Sequence, residues 1–514
     1  MRLRNELLQP IGISQRHLEK KKQFMRSNQY LFICACILVF LPCISHAQST
    51  NEHQKIEKLV QSFVDIDQFS GTVLVAKKGK VVFGKGFGLA NREWNATNAI
   101  DTKFRLGSVT KQFTAMLVMQ LFQEGRIDLN GHISDYLPYY RKDIGTKITI
   151  NQLLSHTSGL GDFGSREDFL EICKTEYAPK EFIEKYCSDN LEAEPGARYR
   201  YSNSGYYILG AIIESLRAKP FREVLKEQIL DVIGMTSSGM EMRKDVVYKQ
   251  ASGYSLKYGK YNKADYINLY TVIFSAGGMY STVGDLLKWD RALYTERLLS
   301  KKNMELMFRP NMEKYAYGIQ VNKMKIPGLS FTSDFSSHNG AINGFRSIIL
   351  REGHEQQAII ILSNMTPGST SVDLSSLSNK IYSVINGLGY ENQKPEIVQA
   401  MAIKILNGSV KEGISFYTKE KVKKNGRFDF SLAEGELNTL GYYLLEQGKS
   451  ADALEIFQLN TREFPKSWNV FDSYAEALEG AGQKIESIKN YSRSIELNAD
   501  NNHAKERLKF LTGK

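Results

Sequence analysis

The sequence predicts a mixed α/β (α+β) domain, an antiparallel sheet with a helical subdomain, followed by an all-α repeat domain. Three observations carry this. Strand-rich runs stand near residues 70–87 and again near 346–363, with mostly helical text between them. The stretch after Ser108 is apolar on nearly every side of a helix. From about residue 390 strands give way to helices, and a 34-residue period appears. Strands at both ends of a helical middle indicate one sheet assembled from the two ends, with helices packed on it.

In chain order, Arg16, Lys20, Lys21, Lys22 and Arg26 precede an apolar run from Tyr30 to Ile44, and Ser45-His46-Ala47 offers small residues at the cleavage-determining positions. Basic, apolar, small is the order of a secretory signal. Residues 1–47 are therefore expected to be a signal peptide or signal anchor. The protein is expected to be exported and periplasmic, with this segment as its candidate membrane anchor. Three of the five cysteines lie here, which leaves Cys173 and Cys187, paired or free.

Residues 48–390 form the expected sheet-bearing domain. The runs on either side of Lys77-Lys78-Gly79-Lys80 read as a hairpin, as do those on either side of Glu352-Gly353-His354-Glu355. Phe113, Ala115, Met116, Leu117, Val118, Met119, Leu121 and Phe122 make a helix buried at the domain centre. Residues 391–514 form the helical domain. There Glu434–Ser467 and Trp468–Asn501 align without gaps, Gly448 on Gly482 and Phe457 on Tyr491. The period resembles tetratricopeptide repeats, with 396–424 and 502–511 completing the stack.

Composition excludes several functions. With 42% hydrophobic and 24% charged residues in 514, the chain has material for real cores. Of the net charge of +11, residues 1–47 supply +5 and the remainder is dispersed, with no Lys/Arg stripe interleaved with aromatics. A nucleic-acid partner is not expected. No Cys/His cluster has zinc spacing, so neither metal nor cofactor is expected.

Ser108-Val109-Thr110-Lys111 occurs once. Residues three apart share a helix face, so the Lys111 amine can approach the Ser108 hydroxyl. A serine becomes a nucleophile only when a neighbour takes its proton, and a desolvated lysine has its pKa lowered towards that task. Tyr201-Ser202-Asn203 follows a Pro195-Gly196 turn and leads into an apolar helix. A phenol serves as base only where a cation holds it as phenolate, and Lys111 is the candidate. His338-Asn339-Gly340 stands just before the second hairpin. A small residue at 340 would let substrate approach the strand and leave the Ala341 amide free to meet a substrate oxygen.

In that order, Ser108-x-x-Lys111, Tyr201-x-Asn203 and His338-x-Gly340 resemble the three motifs of the serine β-lactamase and penicillin-binding-protein superfamily. The stretches Gln152-Leu-Leu-Ser-His156-Thr-Ser-Gly159-Leu and Pro195-Gly196 to Gly205-Tyr206 are similar to its class C-like, esterase and D-aminopeptidase branch. The resemblance implies a β-lactamase-like fold and catalysis through an acyl-enzyme. It implies that Ser108 is acylated, that Lys111 and Tyr201 shuttle its proton, and that Asn203 orients substrate. It gives the oxyanion hole to the amides of Ser108 and Ala341, and leaves His156 and Gly159 to shape their loop. Members that hydrolyse β-lactams usually carry Lys-Thr-Gly where this chain has His338-Asn339-Gly340. The expected substrate is accordingly an ester or a D-amino-acid peptide. The alternatives are a β-lactamase or DD-peptidase acting on a β-lactam or D-Ala peptide, and a penicillin-binding-like sensor or scaffold. The helical repeats are expected to take a protein partner.

Overall fold

Val73, Val75 and Phe83 lie far along the chain from 359–362, yet these strand-forming runs share one sheet. The computed structural model describes residues 51–325, 332–367, 374–423 and 426–513. Residues 51–57 are helical and fall in one unit; Lys58–Lys514 form the other, which is the one described below. Its main sheet holds β1 (Gly71–Lys77), β2 (Lys80–Phe87), β3 (Gln320–Lys325), β4 (Thr332–Ile342), β5 (Phe345–Glu352) and β6 (Gln357–Ser363), in the order β3-β4-β5-β6-β1-β2. Every pairing is antiparallel, with Leu74 opposite Ile360 at the junction of the two ends. The β1–β2 turn is Lys78-Gly79, both at positive φ, the two-residue geometry whose twist matches a hairpin.

Six strands stand where two hairpins are legible in the sequence. Among the additional ones, β4 carries His338-Asn339-Gly340 inside an eleven-residue strand rather than in a loop. Its text, Thr-Ser-Asp-Phe-Ser-Ser-His-Asn-Gly-Ala-Ile, is poor in strand formers; it is extended because β3 and β5 pair with it from both sides.

The central helix is α1 (Thr110–Gln123), in which every residue from 110 to 121 is buried. Against it packs α2 (Asn203–Arg217). One helix, α3 (Val283–Ala292), packs on β1 and β6, and another, α4 (Leu374–Ile385), on β5 and β6. Covered by helices, β6 is buried at all seven positions. Cys173 and Cys187 are both buried and free.

After α4 come α5 (Ile397–Asn407), α6 (Val410–Lys423), α7 (Ala433–Glu446), α8 (Ser450–Glu463), α9 (Trp468–Gly480), α10 (Lys484–Leu497) and α11 (Asn502–Thr512). The period seen in the sequence returns as geometry. Asn460 Nδ2 donates to the Glu434 carbonyl at 3.0 Å, and 34 residues on Ser494 Oγ donates to the Trp468 carbonyl at 2.9 Å. Gly448 and Gly482 end their helices at φ 72° and 74°.

A two-stranded ribbon, Tyr254–Lys257 with Lys260–Lys263, joins this helical core to the rest. At its tip Tyr258 is buried with Met401, Leu440 and Leu444, and its ring centroid lies 5.0 Å from that of Tyr443. At its base Tyr254 pairs with Met365, two residues after β6.

One expectation is corrected. Among the described residues no helix is long and apolar enough to cross a membrane, so they provide no membrane anchor, and export is not shown. The buried central helix α1 has 14 residues, about 21 Å at 1.5 Å per residue against a hydrocarbon layer of about 30 Å. Residues 1–47, on which that expectation rested, lie outside the described residues.

Replacing Tyr258 with Ala should destabilise the helical domain by about 3 kcal/mol, the scale of an aromatic removed from a core. Urea unfolding followed in that domain's own transition measures it; an unchanged midpoint would show that the ribbon tip is not part of that core.

Candidate active site

A single 3₁₀ turn, Gly107–Val109, delivers the chain into α1. It sets Ser108 in a cleft, with Lys111 behind it on the same helix face. Lys111 is fully buried. Its Nζ lies 2.7 Å from Asn203 Oδ1, 2.8 Å from the Ala276 carbonyl and 3.2 Å from Ser108 Oγ. Burial lowers its pKa to about 7, with the Asp162 charge acting in the opposite direction. The neutral amine is thus well populated near neutral pH. It has two N–H donors and one lone pair, and the Asn203 and Ala276 oxygens can only accept. They take the two hydrogens, which leaves the lone pair for the Ser108 hydroxyl.

Tyr201 ends the loop before α2 and edges the cleft, with Ser108 as its hydrogen-bonding neighbour. Burial pushes its phenol pKa up, against the smaller effect of the Ser108 hydrogen bond. The expectation that Lys111 holds it as a phenolate is therefore corrected. The amine stands 4.8 Å from the Tyr201 ring centroid and, near its own pKa, carries only part of a charge.

Asn203 is the first residue of α2. Its backbone N–H donates to Asp162 Oδ1 at 2.9 Å and its Nδ2 to Asp162 Oδ2 at 3.2 Å. His156, at φ 57°, lies with its ring centroid 4.2 Å from that of Tyr201, and its Nδ1 accepts the Ser202 N–H at 3.1 Å. Burial, with Lys111 and His338 adding to it, holds its pKa well below the usual histidine range. Gly159 sits at φ 77° against the Ala193 carbonyl, where a side chain has no room. His156 packs against the Tyr201 ring, and Gly159 lets its loop meet the one at Ala193.

His338 is buried on β4. Its Nδ1 is 2.7 Å from the Asn339 carbonyl and must donate there, so Nε2 accepts the Tyr315 hydroxyl at 2.9 Å. Burial, reinforced by Lys111, lowers its pKa to about 4. Asn339, whose side chain points to the opposite face of the strand, donates to Ser375 Oγ at 3.1 Å. Neither side chain brings positive charge to the cleft.

The small residue at 340 has a different use from the one expected. A Cβ there would collide with the Leu106 carbonyl oxygen, which also accepts Ser347 Oγ at 2.6 Å. The room left by Gly340 is filled by the protein's own backbone. Gly107, at φ 54°, lies directly against the backbone of Ala341. The segment before Ser108 is thereby clamped to β4.

The cleft has two lobes, of about 500 Å³ and 470 Å³, which share Ser108, Ala341, Arg346 and Thr366. One lobe is edged by Asp162, Asn203 and the base of the ribbon, the other by Tyr199, Tyr201, Tyr315 and His338. Ser108, Lys111, Tyr201, Asn203, His338, Gly340 and Ala341 all gather here. Sequence reasoning missed Asp162 and Tyr315. Asp162 could have been noticed as a carboxylate two residues beyond the Gln152–Leu160 stretch. Tyr315 has no local signal, since its partner His338 is 23 residues away on another element.

The sequence profile of the family described as Beta-lactamase matches residues 56–376. Among known proteins, PbpX of Bacillus subtilis (strain 168), whose name places it with the penicillin-binding proteins, is 29% identical over 340 residues. That covers 66% of this chain and 80% of PbpX. Among solved structures, the octameric penicillin-binding protein homologue from Pyrococcus abyssi aligns with a TM-score of 0.56 at 26% identity, over 65% of this chain and 78% of that one. The D-amino acid amidase from Ochrobactrum anthropi SV3, complexed with D-phenylalanine, aligns with a TM-score of 0.55 at 23% identity, over 66% and 99%. At that identity the likeness is one of fold.

Two outcomes follow from this geometry. Gly340→Ala should lower any fluorophosphonate labelling of Ser108 at least about 10²-fold, the scale of a misplaced group; near-normal labelling would show that the Leu106 contact is not what positions Ser108. The second concerns pH. His338 has a folded pKa of about 4, below the unfolded value of about 6.5. Its contribution is complete above about pH 6.5 and is lost as pH falls towards 4, because the unfolded chain takes the proton first. Unfolding free energy should drop by up to about 3 kcal/mol across that window, and by less in His338→Asn. Urea melts at pH 7 and 4.5 test this; equal drops in both proteins would show that His338 titrates normally.

Proposed function

The chain belongs to the β-lactamase family, and from that premise we propose that it is a serine hydrolase acting through an acyl-enzyme, with Ser108 as nucleophile, Lys111 as base and Tyr201 as proton relay. The observation that carries the reading is a buried amine, with its pKa near 7, whose lone pair is left for a serine hydroxyl 3.2 Å away. Ser108 Oγ attacks the substrate carbonyl as its proton passes to Lys111. The oxyanion that forms is met by the backbone N–H groups of Ser108 and Ala341. On collapse, the neutral Tyr201 phenol gives its proton to the leaving group and is reprotonated from the Lys111 ammonium. Water then attacks the acyl carbonyl as its proton passes through Tyr201 to Lys111, and the Lys111 ammonium returns a proton to Ser108 Oγ as the acyl–oxygen bond breaks, which releases the acid and restores the site. Asn203 holds the amine on one side and faces the cleft on the other.

The substrate class is read from the third motif. A neutral His338 with both ring nitrogens occupied, and Asn339 turned to the other face, supply neither the cation nor the hydroxyl that grips a carboxylate. This favours an ester or a D-amino-acid amide or peptide over β-lactams and peptides ending in a free D-Ala. The D-amino acid amidase of Ochrobactrum anthropi, alike in fold, makes a D-aminoacyl amide a natural test compound. We read the helix pairs from α5 onward as a tetratricopeptide-like unit that takes a protein partner.

Mass spectrometry after fluorophosphonate treatment should find one adduct, on Ser108, and none in Ser108→Ala. The wild-type enzyme should turn over a p-nitrophenyl ester or a D-phenylalanine anilide with kcat/KM at least about 10-fold above that for a chromogenic cephalosporin, the value of about one hydrogen bond. Equal labelling of the mutant would remove Ser108 from its role, and efficient cephalosporin turnover would reverse the substrate assignment.

A further inference from the structure

Asp162 lies just ahead of the turn Phe163–Ser165 and touches neither Ser108 nor Lys111 by hydrogen bond. Its Oδ1 accepts the N–H groups of Asn203 at 2.9 Å and Gly164 at 3.2 Å, and its Oδ2 accepts Asn203 Nδ2 at 3.2 Å. We infer that Asp162 is a positioning residue for the site: by dictating which end of the Asn203 amide faces Lys111, it fixes where the buried amine aims its lone pair. The inference rests on the reading of Ser108 and Lys111 given above.

The argument is one of donors and acceptors. A carboxylate can only accept, so the Asn203 atom facing Oδ2 is the NH2 group, and the amide oxygen is turned to Lys111 Nζ at 2.7 Å. That oxygen takes one amine hydrogen and the Ala276 carbonyl takes another. With the amide reversed, an N–H would point at Nζ and draw the lone pair away from Ser108. The charge of the same carboxylate acts on Lys111 in opposition to the effect of burial. The other groups facing Lys111 are uncharged: His156 and His338 by their lowered pKa values, and Tyr201 and Tyr206 by raised ones.

Asp162→Asn is close to isosteric and separates this role from simple packing. Placed with its oxygen on the two backbone N–H groups, the new NH2 opposes Asn203 Nδ2 and forces the Asn203 amide to flip. Placed the other way, it opposes the two backbone donors. The rate of fluorophosphonate labelling of Ser108, measured from pH 5 to 9, reads the result. In Asp162→Asn the plateau rate should fall about 10-fold, as for a lost hydrogen bond to a charged group. The midpoint of its rise should move down by about one pH unit, since removing a nearby anion lowers the amine pKa further. Asp162→Glu keeps the charge and should keep the wild-type midpoint. In an Asn203→Ala background, Asp162→Asn should cost no further plateau rate. A folded Asp162→Asn protein with wild-type plateau and midpoint overturns the inference, as does an additive loss in the double variant. Should Asp162→Asn fail to fold, Asp162→Ser decides: it removes the carboxylate, so a lowered plateau with a lowered midpoint supports the role, and wild-type plateau and midpoint overturn it. Labelling that persists in Ser108→Ala would instead strike the reading on which the inference rests, and the two failures are thereby distinct.

Discussion

Lys111 carries an amine with no access to water, and the arrangement around it follows from that burial. An isolated ammonium in such a place is strongly disfavoured, so the fold tolerates the site by shifting the group towards its neutral form. Neutrality changes what the amine can do: two hydrogens go to oxygens and a lone pair is left over. The oxygens come from widely separated segments, the start of α2 and the carbonyl of Ala276. Lys111 is wholly buried, on a helix whose residues 110–121 are all buried.

The position of Ser108 depends on a backbone contact between segments more than 200 residues apart. Leu106 presents its carbonyl to Ser347 and occupies the space that a side chain at Gly340 would need. Two glycines, at 107 and 340, allow the Ser108 turn and β4 to meet backbone to backbone. The sheet thus does more than support the helices; one of its strands forms a wall of the cleft.

The ribbon from Tyr254 to Lys263 links that cleft to the helical domain. Ser255 and Lys263 line one lobe, while Tyr258 is embedded among the C-terminal helices. Lys257, whose Nζ stands 4.4 Å from the Tyr443 ring centroid, adds a second tie. The helical domain therefore holds one margin of the cleft through a few side chains at the ribbon tip, and the family match, which ends at residue 376, stops short of that domain.

Much of this was legible in the sequence. The buried pattern of α1, the two hairpins and the helical text after residue 390 are local patterns, and each returned as the element expected. What depends on several segments meeting was not legible. The strand β4 exists because its neighbours pair with it, and the Tyr315–His338 bond joins separate elements. The state of Tyr201 was misjudged because a sequence shows that a lysine is near in pattern but not how much water is excluded from both. The chain alone determined which chemical groups are available. Their protonation, their hydrogen-bond directions and the room at Gly340 were decided by tertiary packing, because burial and mutual orientation are properties of assembled surfaces rather than of any one segment.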